Sequence, residues 1–354
     1  MPPGPSAPKG EAKVVRPGAR ILGTGHFLPS QVRTNLDLEK LVETSDTWIR
    51  ERTGIRERRV APEGSVGDGT EPAVPRMLTS DMATAAAKNA LAAAGLTARD
   101  IDMIIVGTVT PDMPMPATAA FVQQKLGAPN CPAFDISAAC AGFIFGLSIA
   151  DQFIRTGAMK HVLVIGVELL SRVVDWTDRT TCVLFGDGAG AFVLGPPDGS
   201  DRGILTTQIF TDGGLATALM IPAGGSATPV THAVIEERQN KIKMRGQEVF
   251  KAAVRNLYSA SQGAVDAAGM TNDQVDWVCP HQANLRIIDQ VVQRANYDRA
   301  RVLSNIERVG NTSSASIPIL IDENVKGGKI KPGDVVLMCA LGAGISWGSA
   351  LVRM

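Results

Sequence analysis

The chain has 354 residues, of which 45% are hydrophobic, 20% charged and 5% aromatic, a composition typical of a soluble globular enzyme with a large core. The 35 basic and 35 acidic residues cancel, so no overall field draws the protein to nucleic acid or to an acidic membrane surface. The five cysteines form no CxxC pair, which argues against a disulfide framework or a structural zinc site.

The N-terminal segment, rich in proline, glycine and lysine, predicts a disordered tail over residues 1–19. It lacks the apolar core of a secretory signal, and the sequence has no run of about 18 apolar residues, so we expect a cytoplasmic protein without a membrane span. Residues 61–79, dense in glycine, proline and glutamate, predict a long surface loop. Elsewhere helix-like and strand-like segments alternate, which predicts an α/β fold.

An internal repeat organises the sequence. ALAAAGLTARDIDMI at 90–104 aligns without a gap to AVDAAGMTNDQVDWV at 264–278, an offset of 174 residues. In each copy an alanine-rich helix ends at a glycine, a threonine opens a turn, and a hydrophobic strand follows. A chance match between alanine-rich helices is the alternative. The repeat predicts two duplicated α/β halves, 20–200 and 201–354, with a functional site where they meet.

One cysteine stands at a strand-to-helix junction. FDISAACAGF at 134–143 places Cys140 after a strand-like run and before helical apolar spacing. At a helix start, unpaired amides and the helix dipole stabilise a thiolate, so we predict a nucleophile with a lowered pKa. Ala139 and Ala141 leave room for an acyl group at the sulfur. A free cysteine can equally be a small buried core residue.

The dinucleotide-like pattern GDGAGA at 186–191 leads into a strand-like run, FVL at 192–194. A nucleotide site would require a helix whose N-terminus could hold pyrophosphate. We therefore predict a tight backbone turn beside the active site and no dinucleotide site.

Two later turns carry polar residues suited to thiol chemistry. CPHQAN at 279–284 places His281 directly after the strand of the second repeat copy, and VGNTSSA at 309–315 places Asn311 before an apolar run. Singly, a histidine is more often a structural hydrogen-bonding residue and an asparagine a turn residue. Together with Cys140 they form a set that nucleophilic thiol catalysis can use.

From residue 21 to residue 352 the chain resembles the type III β-ketoacyl-acyl-carrier-protein synthases of the thiolase superfamily. Beside the Cys140 segment, the motifs that carry the resemblance are SDTWI (45–49), RTGIRER (52–58), FGDGAGA (185–191), HQAN (281–284), GNTS (310–313) and WGSA (347–350). The resemblance implies a thiolase-like five-layer αβαβα fold built from two duplicated halves, and a homodimer.

The resemblance also implies roles for the three polar side chains. Cys140 would take the acyl group of an acyl-CoA primer, acetyl-CoA or similar. His281 and Asn311 would stabilise the enolate formed when malonyl-acyl carrier protein loses CO2, and the backbone amides of Cys140 and Ala343 would form the oxyanion hole. The products would be 3-oxoacyl-acyl carrier protein, CO2 and CoA, which initiates fatty-acid synthesis. CoA thioesters are substrates, and no cofactor or metal is implied.

Substrate contacts are implied outside the reacting groups. Those for coenzyme A fall on Trp48, Arg52, Thr53 and Arg179, with the indole ring stacking on adenine. Those for the carrier protein fall on Gln282, Ala283, Asn284, Leu285, Arg286 and Lys251, with Arg286 as the charged anchor. Met115 would close the acyl pocket of the partner subunit; because methionine is flexible, the length of the acyl chain stays open.

Related classes differ at specific positions. A thiolase would carry its second catalytic cysteine at Ala340; Cys339 is one residue away and would face the other side of its strand. Enzymes that use a glutamate base would carry it near Val109 or Met115, and neither is glutamate. The remaining alternatives are a polyketide-type condensing enzyme or an acyltransferase of the same fold, and a non-catalytic scaffold. Asn311 favours condensation, because acyl transfer needs no enolate stabiliser.

Overall fold

The computed structural model describes residues 16–64 and 76–354. Over these ranges the strands are β1 (Arg20–Phe27), β2 (Val32–Thr34), β3 (Glu57–Arg59), β4 (Met103–Gly107), β5 (Ala133–Ile136), β6 (Val162–Glu168), β7 (Gly188–Gly195), β8 (Gly203–Thr211), β9 (Leu219–Met220), β10 (Lys243–Met244), β11 (Trp277–Pro280), β12 (Val335–Gly342) and β13 (Ser346–Arg353). The α-helices are α1 (Asn35–Glu39), α2 (Asp46–Thr53), α3 (Thr79–Ala94), α4 (Thr118–Leu126), α5 (Gly142–Arg155), α6 (Arg179–Cys182), α7 (His232–Glu236), α8 (Gly246–Ala267), α9 (Leu285–Ala295), α10 (Ile306–Val309) and α11 (Ser316–Lys326).

Two sheets with the same strand order organise the molecule. The first runs β1-β7-β6-β4-β5, with β4 parallel to β5 and β6, and β7 antiparallel to β1 and β6. The second runs β8-β13-β12-β11, with β12 parallel to β11, and β13 antiparallel to β12 and β8. The position that β5 has in the first sheet is taken in the second by a parallel bridge between Val278 and Val302. The predicted duplication is confirmed.

The repeat in the sequence corresponds to the same local structure in both halves. Helices α3 and α8 are each followed by a glycine with φ of +66°, Gly95 and Gly269, the left-handed conformation that ends many helices. Thr97 and Thr271 then each cap a single 3-10 turn. The strands β4 and β11 follow. In both copies the helix, glycine and turn are therefore followed by a parallel strand, β4 or β11, whose carboxyl end points to the junction of the halves.

Five layers result from the way helices cover the sheets. Helices α5 and α11 lie between the sheets and contact strands of both, while α3 and α4 cover the outer face of the first sheet. Helices α8 and α9 pack on the outer face of the second. Phe143 of α5 meets Phe192 of β7 edge-to-face, with ring centroids 4.9 Å apart. This is the predicted αβαβα arrangement. No described helix has the length and apolarity needed to cross a membrane.

The predicted segment boundaries correspond only in part to the structure. The boundary at 200 and 201 falls in the connection between β7 and β8. Residues 1–15 of the predicted tail and 65–75 of the predicted loop lie outside the described residues. The predicted end of the tail at residue 19 is too late, because Gly18 donates a 2.8 Å hydrogen bond to the Ile204 carbonyl and Ala19 is fully buried. These two residues join the body through contacts with distant parts of the chain.

Candidate active site

Cys140 lies between a strand and the start of a helix, as predicted. A single 3-10 turn over residues 139–141 joins β5 to α5. Ala139 has a left-handed backbone, with φ of +46°, which turns the chain sharply just before the cysteine. The end of β12 approaches this turn so closely that a Cβ at Gly342 would lie 2.5 Å from the Cys140 nitrogen. Glycine at 342 therefore allows the second half to approach Cys140.

The predicted lowering of the Cys140 pKa is wrong for the free protein. Burial raises the pKa of the thiol to about 12 and outweighs a hydrogen bond with the Ser313 side chain, which lowers it; the charge of Glu168 adds to the rise. The free-energy cost of desolvating a thiolate is therefore larger than the stabilisation that the start of the helix gives it. The raised pKa keeps the Cys140 thiol protonated near neutral pH.

His281 follows β11 and is 2% exposed. Its backbone N–H donates to the Cys339 carbonyl at 2.8 Å, which continues the pairing of β11 with β12. Its Nδ1 lies 2.6 Å from the Ser316 hydroxyl oxygen, and Nε2 has no hydrogen-bond partner among the described residues. Burial lowers the pKa of His281 to about 3. The ring is therefore neutral near pH 7, and it can donate a hydrogen bond without carrying a charge.

Asn311 lies in the connection between α10 and α11. Its backbone N–H donates to the Leu184 carbonyl at 2.9 Å, and its carbonyl accepts from the Gly186 N–H at 3.0 Å. The Ser313 N–H donates to the side-chain Oδ1 at 2.8 Å, so the amide turns its Nδ2 away from this contact. Gly310 has φ of +66°, and a Cβ there would lie 2.9 Å from the Leu184 carbonyl oxygen. A glycine at 310 is therefore needed to bring Asn311 into place.

The structure brings the three predicted side chains together. Cys140 from the first half and His281 and Asn311 from the second line one cavity of about 450 Å³. The same cavity reaches Trp48 and the exposed Arg286. A buried group of polar side chains thus communicates with the surface through a single space at the junction of the halves.

All four residues predicted to contact coenzyme A line this cavity. The guanidinium carbons of Arg179 and Arg52 lie 5.1 and 6.0 Å from the centroid of the Trp48 ring. Two cations therefore lie near one aromatic ring, which suits a ligand with a base and phosphates. The Thr53 hydroxyl donates instead to the Ile49 carbonyl at 2.7 Å. The hydroxyl hydrogen is already used at the end of α2. Thr53 can therefore contact a ligand but cannot donate a hydrogen bond to it.

A second cavity, of about 270 Å³, meets the first at Cys140 and was not identified from the sequence. Its apolar wall consists of Val109, Leu170, Phe185, Leu219, Met220, Ile221 and Ile242. These residues come from distant segments, so no local motif marks them. An apolar wall beside a reactive sulfur suits a hydrocarbon chain.

Ala343 borders this apolar cavity beside Cys140. It begins a 3-10 turn that directly follows β12. The next residue, Gly344, has φ of +122°, a conformation that glycine adopts without strain. The two residues predicted to form the oxyanion hole therefore face the same space.

The residues predicted to contact a carrier protein divide into two groups. Those that keep exposed or half-exposed surface are Ala283, Asn284, Leu285, Arg286 and Lys251. Gln282 is fully buried. Its amide donates to the Pro280 carbonyl and accepts from the Ser304 hydroxyl, both at 2.7 Å. The prediction that Gln282 contacts a partner is therefore wrong, because its polar atoms are used inside the fold.

Met115 lies in the connection between β4 and α4 and is 84% exposed. It borders neither of the two cavities of its own chain. Met113, two residues earlier, is 43% exposed. Contact of Met115 with the pocket of a partner subunit stays a prediction.

Glu168 is a fully buried carboxylate that the sequence analysis missed. It ends β6, and its Oε1 accepts a hydrogen bond from the Ser313 hydroxyl at 3.1 Å. Burial raises the pKa of Glu168 to about 7, although hydrogen bonds led by that from Thr110 lower it. The available signal was an acidic residue ending an otherwise apolar strand, VLVIGVE at 162–168. A buried acidic residue with a raised pKa and no paired cation is a candidate for a functional residue.

Two further predictions can be checked against the fold. The GDGAGA segment enters β7 at Gly188 without an intervening helix, and Gly186 hydrogen-bonds the Asn311 backbone, so the predicted turn beside the site is confirmed. Cys339 packs in the cluster formed with α8 and α9, whereas Ala340 packs on the side of α5. Cys339 therefore faces away from Cys140, as strand alternation predicts.

In the described parts of the chain, no group of three His, Cys, Asp or Glu residues is placed to hold a metal ion. All five cysteines are free thiols. The side chains that surround Cys140 offer hydrogen-bond donors and apolar surface to a ligand.

The duplicated five-layer fold, with a cysteine where two cavities meet, defines a condensing enzyme of the thiolase class. Two family models match the chain: 3-oxoacyl-[acyl-carrier-protein (ACP)] synthase III at residues 134–213 and the corresponding C-terminal model at residues 265–354. The chain belongs to the 3-oxoacyl-[acyl-carrier-protein] synthase III family, which confirms the resemblance found in its motifs.

Individual relatives match nearly the whole chain. The β-ketoacyl-[acyl-carrier-protein] synthase III of Caldanaerobacter subterraneus is 49% identical over 335 residues, 95% of this chain and 97% of that protein. The crystal structure of 3-oxoacyl-[acyl-carrier-protein] synthase III from Aquifex aeolicus superposes with a TM-score of 0.85 at 45% identity, covering 95% of this chain and all of that one. The priming β-ketosynthase of the R1128 polyketide pathway has a TM-score of 0.83 at 34% identity, covering 99% and 98% of the two chains.

Proposed function

We propose that the protein joins the acyl group of an acyl-CoA primer to malonyl-acyl carrier protein with loss of CO2, the step that initiates fatty-acid synthesis. The observation that carries this proposal is the position of Cys140 at the meeting point of two unlike cavities. One is apolar and suits the acyl chain; the other contains two uncharged donors and extends to a tryptophan flanked by arginines.

In the first half-reaction the Cys140 sulfur attacks the carbonyl carbon of the acyl-CoA thioester. The backbone amides of Cys140 and Ala343 hold the oxygen that becomes negative in the tetrahedral intermediate. The bond from carbon to the CoA sulfur breaks, and CoA leaves as a thiol with the proton that Cys140 gives up. The acyl chain remains on Cys140 and lies in the apolar cavity.

In the second half-reaction malonyl-acyl carrier protein takes the place of CoA. Its carboxylate leaves as CO2, and the electron pair forms an enolate whose oxygen accepts hydrogen bonds from His281 Nε2 and Asn311 Nδ2. The pKa of His281, lowered to about 3 by burial, keeps the imidazole a neutral donor. The enolate carbon attacks the acyl thioester, 3-oxoacyl-acyl carrier protein forms, and the Cys140 thiolate recovers one proton from solvent.

The substrates themselves supply the reacting groups, so the proposal needs no resident cofactor. Trp48 would stack on the adenine of CoA, with Arg52 and Arg179 at its phosphates. Arg286 lines the cavity, and Lys251 follows the cavity residue Phe250 on α8; both are exposed cations that suit the phosphopantetheine and the acidic surface of a carrier protein. We further propose a homodimer in which Met115 reaches the partner subunit, and a cytoplasmic location, where these substrates occur.

A polyketide-type priming reaction is the second candidate. The 34% identity to the R1128 priming β-ketosynthase over nearly the whole chain favours keeping it. The two candidates share both half-reactions and differ in the primer and in the carrier protein that receives it. Comparison of primers from two to twelve carbons, each with a fatty-acid and a polyketide carrier protein, separates them.

The proposal is tested with labelled acetyl-CoA and malonyl-acyl carrier protein. We expect label on Cys140 after the first substrate, then CO2 and 3-oxobutyryl-acyl carrier protein after the second. Cys140→Ala should take no label, while the matched substitution Cys131→Ala, at a half-buried cysteine away from both cavities, should leave labelling unchanged. Label that stays on Cys140 without CO2 release would contradict condensation.

A further inference from the structure

Cys140 must lose a proton during acylation, and its surroundings contain one carboxylate. Glu168 is fully buried at the end of β6, and no cation pairs with it among the described residues. The Ser313 hydroxyl lies 3.1 Å from Glu168 Oε1, and the Ser313 side chain also interacts with that of Cys140. Ser313 and Cys140 also border the same cavity.

The other contacts of Glu168 show which hydrogen atoms point at it. The Thr110 hydroxyl accepts from the Leu169 N–H at 2.8 Å and lies 2.7 Å from Oε2. The Thr108 hydroxyl accepts from the Thr110 N–H at 3.1 Å and lies 3.2 Å from the same oxygen. Because each hydroxyl already accepts from a backbone amide, each directs its own hydrogen to the carboxylate. The Val109 N–H lies 3.1 Å from Oε2 and 3.3 Å from Oε1, so three donors converge on Oε2.

The second oxygen, Oε1, shares the Val109 N–H and also faces the serine turn. The Ser314 hydroxyl donates to the Gly107 carbonyl at 2.7 Å and is 3.4 Å from Oε1, which leaves the Ser313 hydroxyl as the nearer donor. When Ser313 donates to Glu168, its lone pairs are available to the hydrogen of the Cys140 thiol. A continuous path for a proton then runs from sulfur through Ser313 to the carboxylate.

We propose that the Cys140 proton passes through the Ser313 hydroxyl to Glu168 as the sulfur attacks the acyl-CoA thioester. The inference rests on the proposed function, because it concerns the acylation half-reaction. Ser313 accepts the thiol proton and gives its own to Oε1, while the sulfur–carbon bond forms. When the bond to the CoA sulfur breaks, the proton returns by the same path to the departing sulfur, which leaves as a thiol.

Charge supports this path. Of the groups that face Glu168 from the ends of β4 and β6, the 313–315 turn and the start of α5, Cys140 is the one titratable side chain among the described residues. A second negative charge in this buried space would be opposed by the first. Transfer keeps a single negative charge and moves it from oxygen to sulfur. The thiol pKa of about 12 lies well above the carboxyl pKa of about 7, so transfer accompanies bond formation and does not precede it.

Glu168 acts through Ser313 and touches no substrate atom, so it is a positioning residue in this scheme. It could alternatively serve only to hold the 313–315 turn and, through the Ser313 N–H, the side chain of Asn311. These two roles differ in their consequences. A proton path matters for acylation alone, whereas an anchor for the turn matters at least as much for decarboxylation at Asn311.

The experiment measures both half-reactions of the full-length enzyme between pH 5.5 and 9. Acylation is followed by quenched-flow mass spectrometry of Cys140 with acetyl-CoA, and decarboxylation by CO2 release from malonyl-acyl carrier protein. The variants are Glu168→Gln, Ser313→Ala and Ser313→Thr, which keeps the hydroxyl. Ser148→Ala is the matched control, because it removes a half-buried hydroxyl on α5 that contacts Thr207 and lies outside the path.

In the wild type we expect the acylation rate to rise through about pH 7 and then level. Glu168→Gln and Ser313→Ala should lower acylation at pH 8 by about 100-fold, the usual contribution of a positioned base, and the rate should keep rising toward pH 9. Decarboxylation should stay within about threefold, the pH profile of Ser148→Ala should match the wild type, and Ser313→Thr should recover most of the acylation rate.

Equal losses in the two half-reactions would overturn the proposal and leave Glu168 an anchor of the turn. Unchanged acylation in Ser313→Ala would overturn it as well, and this variant decides alone if Glu168→Gln does not fold. If the wild type takes no acyl group on Cys140 at all, the proposed function has failed, and this outcome is distinct from a failure of the proton path.

Discussion

The Ser316 hydroxyl oxygen lies 2.6 Å from Nδ1 of His281. It also accepts, at 3.4 Å, from the backbone N–H of Gln282. A hydroxyl that accepts from an amide directs its own hydrogen elsewhere, and the nearest acceptor is Nδ1. The remaining proton of the neutral ring is therefore on Nε2, the nitrogen that can donate to a substrate oxygen. One serine on α11 thus selects the tautomer that enolate stabilisation requires.

We expect Ser316→Ala to lower decarboxylation of malonyl-acyl carrier protein by about 10-fold, since an untethered ring samples both tautomers and other orientations. Acylation of Cys140 should be unchanged, because His281 has no part in that step. Ser304→Ala, which removes a hydroxyl bonded to Gln282 on the other side of the same loop, is the control. A decarboxylation rate equal to that of the wild type would show that Ser316 does not set the tautomer.

Replacing Asn311 tests the second donor. Asn311→Ala should lower CO2 release by at least about 100-fold, the typical cost of removing one donor from a preorganised oxyanion site. Labelling of Cys140 by acetyl-CoA should persist. Asn324→Ala removes an amide from α11 that bonds the Leu320 carbonyl and should decarboxylate normally. Normal CO2 release from Asn311→Ala would contradict the assignment of this side chain to the condensing step.

Burial of His281 also predicts how stability depends on pH. The pKa of His281 is lowered from 6.5 to about 3 in the folded protein, so the unfolded chain takes up a proton first as pH falls. The stability linked to this residue is complete above pH 6.5 and is lost as pH decreases toward 3. The free energy of unfolding of the wild type, measured relative to that of His281→Gln, should be about 2 kcal/mol lower at pH 5 than at pH 8. Urea unfolding of both proteins at the two pH values measures it. A difference that does not change with pH would contradict the buried neutral ring.

The sequence predicted those features that depend on local patterns. The repeat at 90–104 and 264–278 predicted the duplicated sheets, because each copy contains a complete helix end, turn and strand. The junction of strand and helix likewise predicted the position of Cys140. Tight turns with small residues and a polar side chain mark the carboxyl ends of strands, and these ends meet at one edge of a sheet. The three central residues could therefore be found without coordinates.

The features that were missed depend on burial and on contacts between distant segments. Whether Gln282 points outward or inward is decided by Ser304, 22 residues away, so its motif alone suggested a surface contact. The pKa of Cys140 follows from desolvation by the assembled halves, which exceeds the local effect of the helix start. The role proposed for Glu168 depends on its contact with Ser313, which lies 145 residues later in the sequence. Periodicity gives no information on such contacts.

The apolar cavity predicts how primer length can be changed. Ile221 borders it with part of its side chain exposed, so a larger ring can enter the space without disrupting the core. We expect Ile221→Trp to lower kcat/KM for six-carbon and longer primers by at least about 10-fold while acetyl-CoA is affected less than about twofold. Ile235→Trp, at an exposed position on α7 outside the cavity, is the matched control. Equal losses for short and long primers would show that the acyl chain lies elsewhere.

We expect Arg286 to affect one substrate more than the other, because it is exposed at the outer part of the cavity, with its guanidinium carbon 5.9 Å from the Phe250 ring. An exposed charge contributes to encounter with an oppositely charged partner more than to the chemical step. Arg286→Glu should therefore raise KM for malonyl-acyl carrier protein by about 10-fold and leave the rate of Cys140 acylation by acetyl-CoA within about twofold. Arg99→Glu makes the same charge reversal at an exposed site before β4, at the opposite end of the strand from the active site, and should leave both substrates unaffected.

Because the interaction is between exposed charges, the effect of Arg286→Glu should also diminish as salt increases. An equal rise in KM for acetyl-CoA would instead assign Arg286 to the coenzyme A end of the cavity.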